Sequence, residues 1–198
     1  SNADAHDDGC QYAIQGYPPA VGVDFFDGPY QDNDGLDNPL TTDVSSAKNL
    51  NGIPYKGLGI GYGDGVIDNE RFGMRRFVYY DGQLPQNSFG DPQTAIQYYN
   101  YMRGLWRDGT RFVYGASGNV SSSGSLANVF TDYCFPGDSD PYHWGTSGVV
   151  TNFEWSEQHP APGLSSNVVG DRRFVQSAGP FILEPGALNN ITFGVVYG

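Results

Sequence analysis

The chain has 198 residues, a formal net charge of -12 at pH 7 and a hydrophobic fraction of 38%. This length suits one large domain or two small ones, with enough residues to bury a core. The acidic balance argues against nucleic acid as a partner, because phosphate contacts need a basic surface. No apolar run approaches the length of a membrane-spanning helix, so the sequence predicts no membrane-spanning segment.

Glycine, proline and aromatic residues indicate the fold class. The 28 glycines and 13 prolines imply many turns, and the aromatic residues, 15% of the chain, favour strands. We therefore expect a mostly β fold, an antiparallel β-sandwich of the jelly-roll kind with one α-helix packed on it. Residues 1–3, Ser-Asn-Ala, are typical of an expression-tag remnant, and residues 4–198 are expected to form a single β-sandwich-like domain.

Short apolar or alternating stretches, bounded by turn residues, indicate the strands. In chain order they are residues 11–17, 21–26, 71–80, 110–115, 128–135, 148–155, 172–178, 180–185 and 190–197. The last stretch alternates, so that Ile191, Phe193, Val195 and Tyr197 fall on one face. This period of two predicts a half-buried strand.

One helix is predicted over residues 91–109. Asp91 is placed to cap its N-terminus, Pro92 suits the first helical position, and Gly109 is a natural stop. Apolar residues at helical spacing form one face, which we expect to cover the core. That face consists of Ala95, Ile96, Tyr98, Tyr99, Met102, Leu105 and Trp106.

An acidic loop, "PYQDNDGLDNPL" at residues 29–40, gathers carboxylates around one glycine. Their mutual repulsion is relieved if the loop lies in water as a polar turn, or if a cation sits among the oxygens. Calcium takes about six to eight hard oxygens from carboxylates, amides and carbonyls. We therefore expect Ca²⁺ as a cofactor. The expected ligands are Asp32, Asp34, Asp37 and Asn38, with Asp27 just upstream.

A second acidic segment, residues 63–70, offers Asp64 and Asp68, and the two partial loops could share one ion. Neither loop fits the EF-hand register, because placing its glycine at the sixth position leaves unsuitable residues at the first and twelfth. The alternative to metal binding is a set of Asx turns, in which side-chain oxygens accept hydrogen bonds from backbone amides. Asp138 and Asp140, beside a proline, favour such a turn over a third metal loop.

The sequence contains no recognisable catalytic motif. There is no His-Glu-x-x-His, no Gly-x-Ser-x-Gly and no phosphate loop. Glu154 and Glu157 would point to opposite faces of a strand, which makes them a poor glycosidase pair. We therefore predict no catalytic residues.

Cys10 and Cys134 are a candidate disulfide, and the alternative is two buried thiols.

Aromatic residues near loops raise the possibility of a glycan partner. Trp144, Trp155 and Tyr142 are the candidates, because flat aromatic faces stack on sugar rings. For Trp155 the alternative is packing in the core. The paired arginines Arg172 and Arg173 are expected to bind carboxylates of the acidic loops and so hold parts of the fold together.

Three segments, "GYGDGVIDNERFGMRRFVYY", "CFPGDSDPYHWGT" and "GDRRFVQSAGPFILEPGALNNITFGVVY", together with "VDFFDGPYQDNDGLDNP", are spread along most of the chain, between residues 23 and 197. They resemble a region of large secreted or surface proteins of Bacteroidetes, often substrates of type IX secretion. The resemblance implies an extracellular or outer-surface location and a module cut from a larger protein, with the other domains of that protein as partners.

The sequence favours a non-catalytic structural or adhesive module stabilised by calcium. The first alternative is a carbohydrate-binding module that uses exposed Trp and Tyr side chains, and the second is a glycoside hydrolase.

Overall fold

The structure, a computed structural model, describes residues 21–31, 33–47, 54–82, 89–166 and 171–197. Its regular elements are mainly short strands, as the composition predicts, joined by turn-rich segments. The strands are β1 (Val21–Asp27), β2 (Gly59–Ile60), β3 (Arg71–Phe72), β4 (Arg76–Asp81), β5 (Val113–Tyr114), β6 (Leu126–Phe130), β7 (Arg172–Ser177) and β8 (Thr192–Tyr197).

The strands pair into two-stranded sheets, β1 with β8, β2 with β3, β4 with β7 and β5 with β6. In the antiparallel β2–β3 pair Gly59 lies opposite Phe72, and the antiparallel β5–β6 pair contains a register shift between Val113 and Tyr114. A strand-rich fold with small antiparallel sheets is therefore confirmed, while the β-sandwich stays a prediction. Within the described ranges, no helix has the length and hydrophobicity needed to cross a membrane.

Strand prediction succeeded in some places and failed in others. Residues 21–26, 172–178 and 190–197 correspond to β1, β7 and β8. The strand predicted at 71–80 is interrupted between β3 and β4, and the segments 148–155 and 180–185 are irregular. Ile182 and Leu183 are more than half exposed, so no buried face holds a strand there. The strand predicted at 11–17 lies outside the described residues.

The helices are α1 (Val44–Ala47) and α2 (Ala95–Met102), with a 3₁₀ helix at Gly137–Ser139. α2 confirms the predicted helix but is shorter at both ends. Its N-cap is Thr94 rather than Asp91, whose carboxylate instead pairs with Arg173. It ends before Gly104, which has a φ of 70° and turns the chain, so the predicted stop at Gly109 was wrong.

Most of the apolar face predicted for α2 does not cover the core, although Trp106, which follows the helix, is buried in the core cluster as predicted. Tyr101 is fully buried, but Ile96, Tyr98, Tyr99 and Met102 are between 46% and 68% exposed. The alternating face of β8 behaves in the same way, because its apolar residues are more than half exposed rather than half-buried. Periodicity thus located the helix and the strand but assigned their apolar faces to the core incorrectly.

The described residues fall into two compact units, each built from separated stretches of chain. The first unit holds residues 77–175 with 21–22 and 195–197, and the second holds residues 23–76 with 176–194. The expectation of a single domain over 4–198 stays a prediction.

The core of the first unit is aromatic, and the polar ends of its rings are hydrogen-bonded. The Trp106 ring stacks on Phe112 at 3.8 Å, and its indole N–H donates to the Gly118 carbonyl at 3.1 Å. These bonds remove the cost of burying a polar ring atom. The buried cluster comprises Val78, Tyr80, Tyr101, Trp106, Phe112, Tyr114, Cys134 and Trp155.

The second unit buries fewer apolar side chains. The rings of Tyr55 and Phe72 lie 4.4 Å apart and are each less than a tenth exposed. Gly28 packs so closely against β3 that a Cβ at residue 28 would lie 2.0 Å from the Phe72 carbonyl oxygen. Buried polar side chains, Asn38 and Glu70 among them, fill much of the remaining interior.

Cys134 is buried and forms no disulfide with a described residue, and burial raises the pKa of its thiol to about 12. Cys10 lies outside the described residues, so the disulfide between them stays a prediction. The buried-thiol alternative describes the environment of Cys134.

Candidate functional sites: an acidic double loop and an aromatic cleft

Two acidic loops of the second unit, residues 33–38 and 61–70, hydrogen-bond to each other and are called here the acidic double loop. The Asp37 carboxylate accepts hydrogen bonds from the backbone N–H groups of Gly63 and Gly65, both at 2.7 Å. These glycines have φ values of 68° and 90°, a region that side chains disfavour. Glycine at both positions therefore lets one carboxylate bind two backbone amides.

Asp68 of the second loop makes two further hydrogen bonds to the first loop. The Asp68 carboxylate accepts from the backbone N–H of Gly35 at 2.9 Å, and its own N–H donates to the Leu36 carbonyl at 3.2 Å. The structure thus brings together the two acidic segments, which the sequence indicates only as two separate partial loops.

The remaining aspartates form local turns. Asp34 Oδ1 accepts from the Leu36 N–H at 2.9 Å, and Asp64 Oδ1 accepts from the Val66 N–H at 2.8 Å. Asn69 donates its side-chain amide to Asp64 Oδ2 at 3.0 Å, and this bond is the main reason that the pKa of Asp64 lies below its ordinary value. These are the Asx turns that were weighed as the alternative to metal binding.

Buried oxygens lie at the base of the double loop. Glu70 is only 2% exposed, and its carboxylate accepts a hydrogen bond from the backbone N–H of Asn38. The side-chain oxygen of Asn69 is buried and accepts no hydrogen bond from the described residues. A Cβ on residue 61 would come 2.7 Å from this oxygen, so glycine at that position lets the backbone pack closely against it.

The predicted calcium ligands are distributed unevenly. Asp34, Asp37, Asn38, Asp64 and Asp68 all belong to the double loop, whereas the described hydrogen bonds do not join Asp27, the last residue of β1, to it. Asp32 lies outside the described residues. Across the described part of the chain, no three Asp, Glu, His or Cys side chains are grouped so that they could hold a metal ion by themselves.

A second candidate site lies in the first unit, on the turn formed by residues 140–146, called here the aromatic turn. Asp140 is 5% exposed, and its two carboxylate oxygens accept from the backbone N–H groups of Trp144 and Gly145, both at 2.8 Å. A Cβ at Gly145 would meet the Tyr133 ring at 2.6 Å. The buried carboxylate and the glycine together fix the turn, as the alternative to a third metal loop implies.

The aromatic turn carries a stacked pair of rings. Tyr142 and Trp144 lie 4.8 Å apart at 28°, with Tyr142 61% exposed and Trp144 half-buried. Trp155, the third ring predicted to contact a glycan, is 2% exposed and donates its indole N–H to the Ala116 carbonyl. Its ring cannot reach a ligand, so that prediction was wrong and the core alternative is correct.

Beside the turn is a cleft of about 370 Å³, which we call the aromatic cleft. Its walls include His143, Asn152 and Glu154, whose side chains make no hydrogen bond to the described residues. His143 and Ser147 both have a φ of 55°, in the left-handed region that costs about 1–2 kcal/mol for a side-chain-bearing residue. Such strain is often found at ligand sites.

The arginines of β7 form ion pairs, but with partners other than those predicted. Arg172 binds Asp81 at 2.7 Å and Glu157 at 2.8 Å, and Glu157 also accepts a hydrogen bond from the Tyr79 hydroxyl. Burial, followed by this bond to Glu157, raises the pKa of Tyr79. Arg173 pairs with carboxylates of its own unit rather than with the acidic loops. Glu157 belongs to this network and does not line the aromatic cleft, whereas Glu154 does.

The sequence favoured a turn at Asp140 but did not identify the two amides that it binds, and it missed the unpaired side-chain oxygen of Asn69. An aspartate four residues before a tryptophan and five before a glycine was a usable signal for the first, because such residues cap turns. The second depends on how the folded loop buries the Asn69 side chain, which no local pattern reveals.

Comparison with known proteins returns no relative: no protein-family model matches the chain, and neither does a curated protein or a solved structure.

Proposed function

We propose that this chain is a non-catalytic structural or adhesive module of a secreted or cell-surface bacterial protein, and that calcium stabilises its acidic double loop. Two observations carry the proposal: hydrogen bonds join the two acidic loops, and the buried side-chain oxygen of Asn69 in the second loop lacks a hydrogen-bond donor among the described residues. The proposed surface location, and the proposed partners, which are other domains of a Bacteroidetes protein, rest on the sequence resemblance alone.

The chemistry of the loop suits calcium better than other common metals. The groups in the loop side chains that can bind a metal are all oxygens, from Asp, Asn and Glu, and calcium selects hard oxygen ligands. Among the described residues, none of these carboxylates is in an ion pair. An ion there would reduce the repulsion between them.

The set of ligands must extend beyond carboxylates. Because no three acidic side chains are grouped in the described part of the chain, the ion would also need amide oxygens, backbone carbonyls or water, all of which calcium accepts. Asn69 would supply one such oxygen, and Asp64 and Asp68 precede it in the same loop. Bound calcium would cross-link the two loops and would take part in no reaction.

The proposal includes a β-sandwich of the jelly-roll kind as the finer description of the fold. Its support is the antiparallel pairing of β2 with β3 and of β5 with β6.

Thermal unfolding with calcium and with a chelator tests this function. At about tenfold excess over Kd, calcium stabilises a protein by about 1.4 kcal/mol, which raises Tm by about 3–5 °C in a chain of this size. We expect that rise in the wild type, a smaller one with magnesium, and none in Asn69→Ala. Asp138→Asn, which removes an exposed charge outside the double loop, should keep the full rise.

Equal Tm values for the wild type in calcium and in chelator would refute the calcium role. A rise that survives Asn69→Ala but disappears in Asp138→Asn would place the ion elsewhere and reject the double loop as its site.

A further inference from the structure

We propose that the solvent-facing side of α2, together with the arginines at and after its end, is a docking surface for an acidic segment of a partner protein, one that carries apolar side chains beside its carboxylates. This surface lies within the first unit. The inference therefore does not depend on calcium at the acidic double loop of the second unit.

The exposed residues of α2 form one continuous strip, called here the α2 face. At 3.6 residues per turn they follow one another over about 160° of the helix circumference. The opposite side, formed by Gln97, Asn100 and Tyr101, is the one that is buried or half-buried. The helix thus packs on its own unit through a largely polar side and leaves its apolar side in water, the reverse of an ordinary surface helix. The α2 face consists of Ala95, Ile96, Tyr98, Tyr99, Met102 and Arg103.

The charge around the α2 face is opposite to that of the chain as a whole. Residues 95–112 hold three arginines and one aspartate, a net charge of +2, so with a total of -12 the rest of the chain carries -14. The α2 face itself contains no acidic residue. A contiguous exposed apolar surface of this kind marks an interaction site, and its local positive charge favours an acidic partner.

Two of the arginines hold their guanidinium groups against aromatic rings. Arg103 lies over the Tyr99 ring, 5.7 Å from its centroid, and Arg111 lies over the Phe130 ring at 4.3 Å. An antiparallel bridge between Leu105 and Arg111 brings the second arginine back beside the end of the helix. Both arginines are exposed, and neither forms an ion pair within the described ranges. The rings orient the two planar groups, whose N–H edges stay available to carboxylates.

Charge and apolar area together define the partner. A guanidinium group binds a carboxylate through paired hydrogen bonds, whereas Ile96 and Met102 are removed from water only beneath apolar side chains. A polysaccharide or a nucleic acid offers anions without aliphatic side chains, and a long polyanion is also repelled by the acidic remainder of the chain. A second copy that docked through its own α2 face would offer Arg103 no carboxylate, because that face contains none. An acidic and apolar protein segment meets both requirements.

The test is a selection of short peptides from a random display library on the full chain in calcium-free buffer, followed by fluorescence polarisation with the enriched peptides. We expect these peptides to combine acidic with aliphatic or aromatic residues. They should bind at least about tenfold more tightly than the same peptides with lysine in place of each acidic residue. Heparin oligosaccharide and polyglutamate serve as polyanion probes, and each should compete at least about tenfold more weakly than the unlabelled peptide.

Matched variants assign the surface. Arg103→Glu should weaken peptide binding at least about tenfold, whereas Lys56→Glu, which changes the net charge equally but lies in the second unit, should keep affinity within about twofold. Ile96→Ala should weaken binding at least about fivefold, and it favours the helix, so the fold is retained. Val150→Ala removes apolar atoms from a residue of similar exposure, 72% against 68%, outside α2 and should leave affinity unchanged.

The proposal is overturned if the enriched peptides are not acidic, or if Arg103→Glu or Ile96→Ala binds them as the wild type does. Competition by heparin as strong as that of the peptides would also overturn it, in favour of a surface for polyanions. Sedimentation velocity provides the remaining check: a wild-type oligomer that becomes a monomer in Ile96→Ala would mean that a second copy covers the α2 face, and we expect a monomer for both.

Discussion

The acidic double loop and the aromatic turn both depend on an aspartate that accepts two backbone N–H groups, yet they use it differently. Asp37 joins one loop to another through Gly63 and Gly65. Asp140 closes a single turn through Trp144 and Gly145. The first arrangement connects segments 26 to 28 residues apart, and the second connects residues four and five apart.

The difference determines which groups each site leaves available for a ligand. In the double loop the carboxylates are turned towards backbone amides of the loops themselves, which leaves little for an organic ligand and suits a cation that shares their lone pairs. In the aromatic turn one buried carboxylate holds the backbone, so the neighbouring rings and polar side chains remain open to a ligand. An aspartate therefore joins two loops in the second unit, whereas in the first unit an aspartate fixes the backbone of a turn that carries exposed side chains.

Loss of the carboxylate in the aromatic turn should have the largest effect. Asp140→Ala removes the acceptor of one buried and one part-buried N–H group, and hydrogen bonds to a charged group contribute about 1.5–3 kcal/mol each. We expect the free energy of unfolding to fall by about 3 kcal/mol in urea denaturation, with an unchanged m-value. A loss below about 0.5 kcal/mol would mean that the turn does not depend on this residue.

Asp37→Ala should cost less than Asp140→Ala, and it sharpens the comparison. Its amide partners are exposed loop glycines, which water can solvate when the carboxylate is removed, and the bond between Asp68 and Gly35 remains. We expect a loss of about 1–2 kcal/mol in the presence of chelator, measured in the same denaturation series. A loss equal to or greater than that of Asp140→Ala would contradict the assignment.

The smallest effect concerns acid. The pKa of Asp64 is lowered below its ordinary 3.8, first by the Asn69 amide and then by the Val66 N–H, so the unfolded chain binds the proton more tightly. The stabilising contribution is therefore complete above pH 3.8 and is lost as pH falls through the folded pKa. Asp64→Asn should show a shallower fall of Tm below about pH 4 in chelator. Parallel curves for the two proteins would contradict this linkage.

The predictability of the fold followed the length of each strand. β1, β7 and β8 have six or seven residues and were predicted close to their observed bounds. β3 and β5 have two residues each, so the strands predicted at 71–80 and 110–115 extend beyond them, and the two-residue β2 was missed. The apolar runs at 148–155 and 180–185 were mistaken for strands because apolar content alone says nothing about a pairing partner.

Burial was harder to predict than secondary structure. Spacing placed Ile96, Tyr98 and Met102 on one helical face, but which face meets the core depends on what packs there, and α2 buries Tyr101 instead. At the candidate sites, composition located the acidic loops and the aromatic turn. Their partners, Gly63 for Asp37 and Asp81 for Arg172, are 26 and 91 residues away, distances at which sequence patterns carry no information.

The most direct test of the central claim is a calcium titration of chelator-treated protein, followed by NMR at the backbone amides of Gly35, Gly63 and Gly65, with Gly145 as the internal reference. The account predicts saturable shifts and slower hydrogen exchange at the three double-loop amides, with no change at Gly145. Unchanged double-loop amides at saturating calcium, or shifts confined to Gly145, would contradict it.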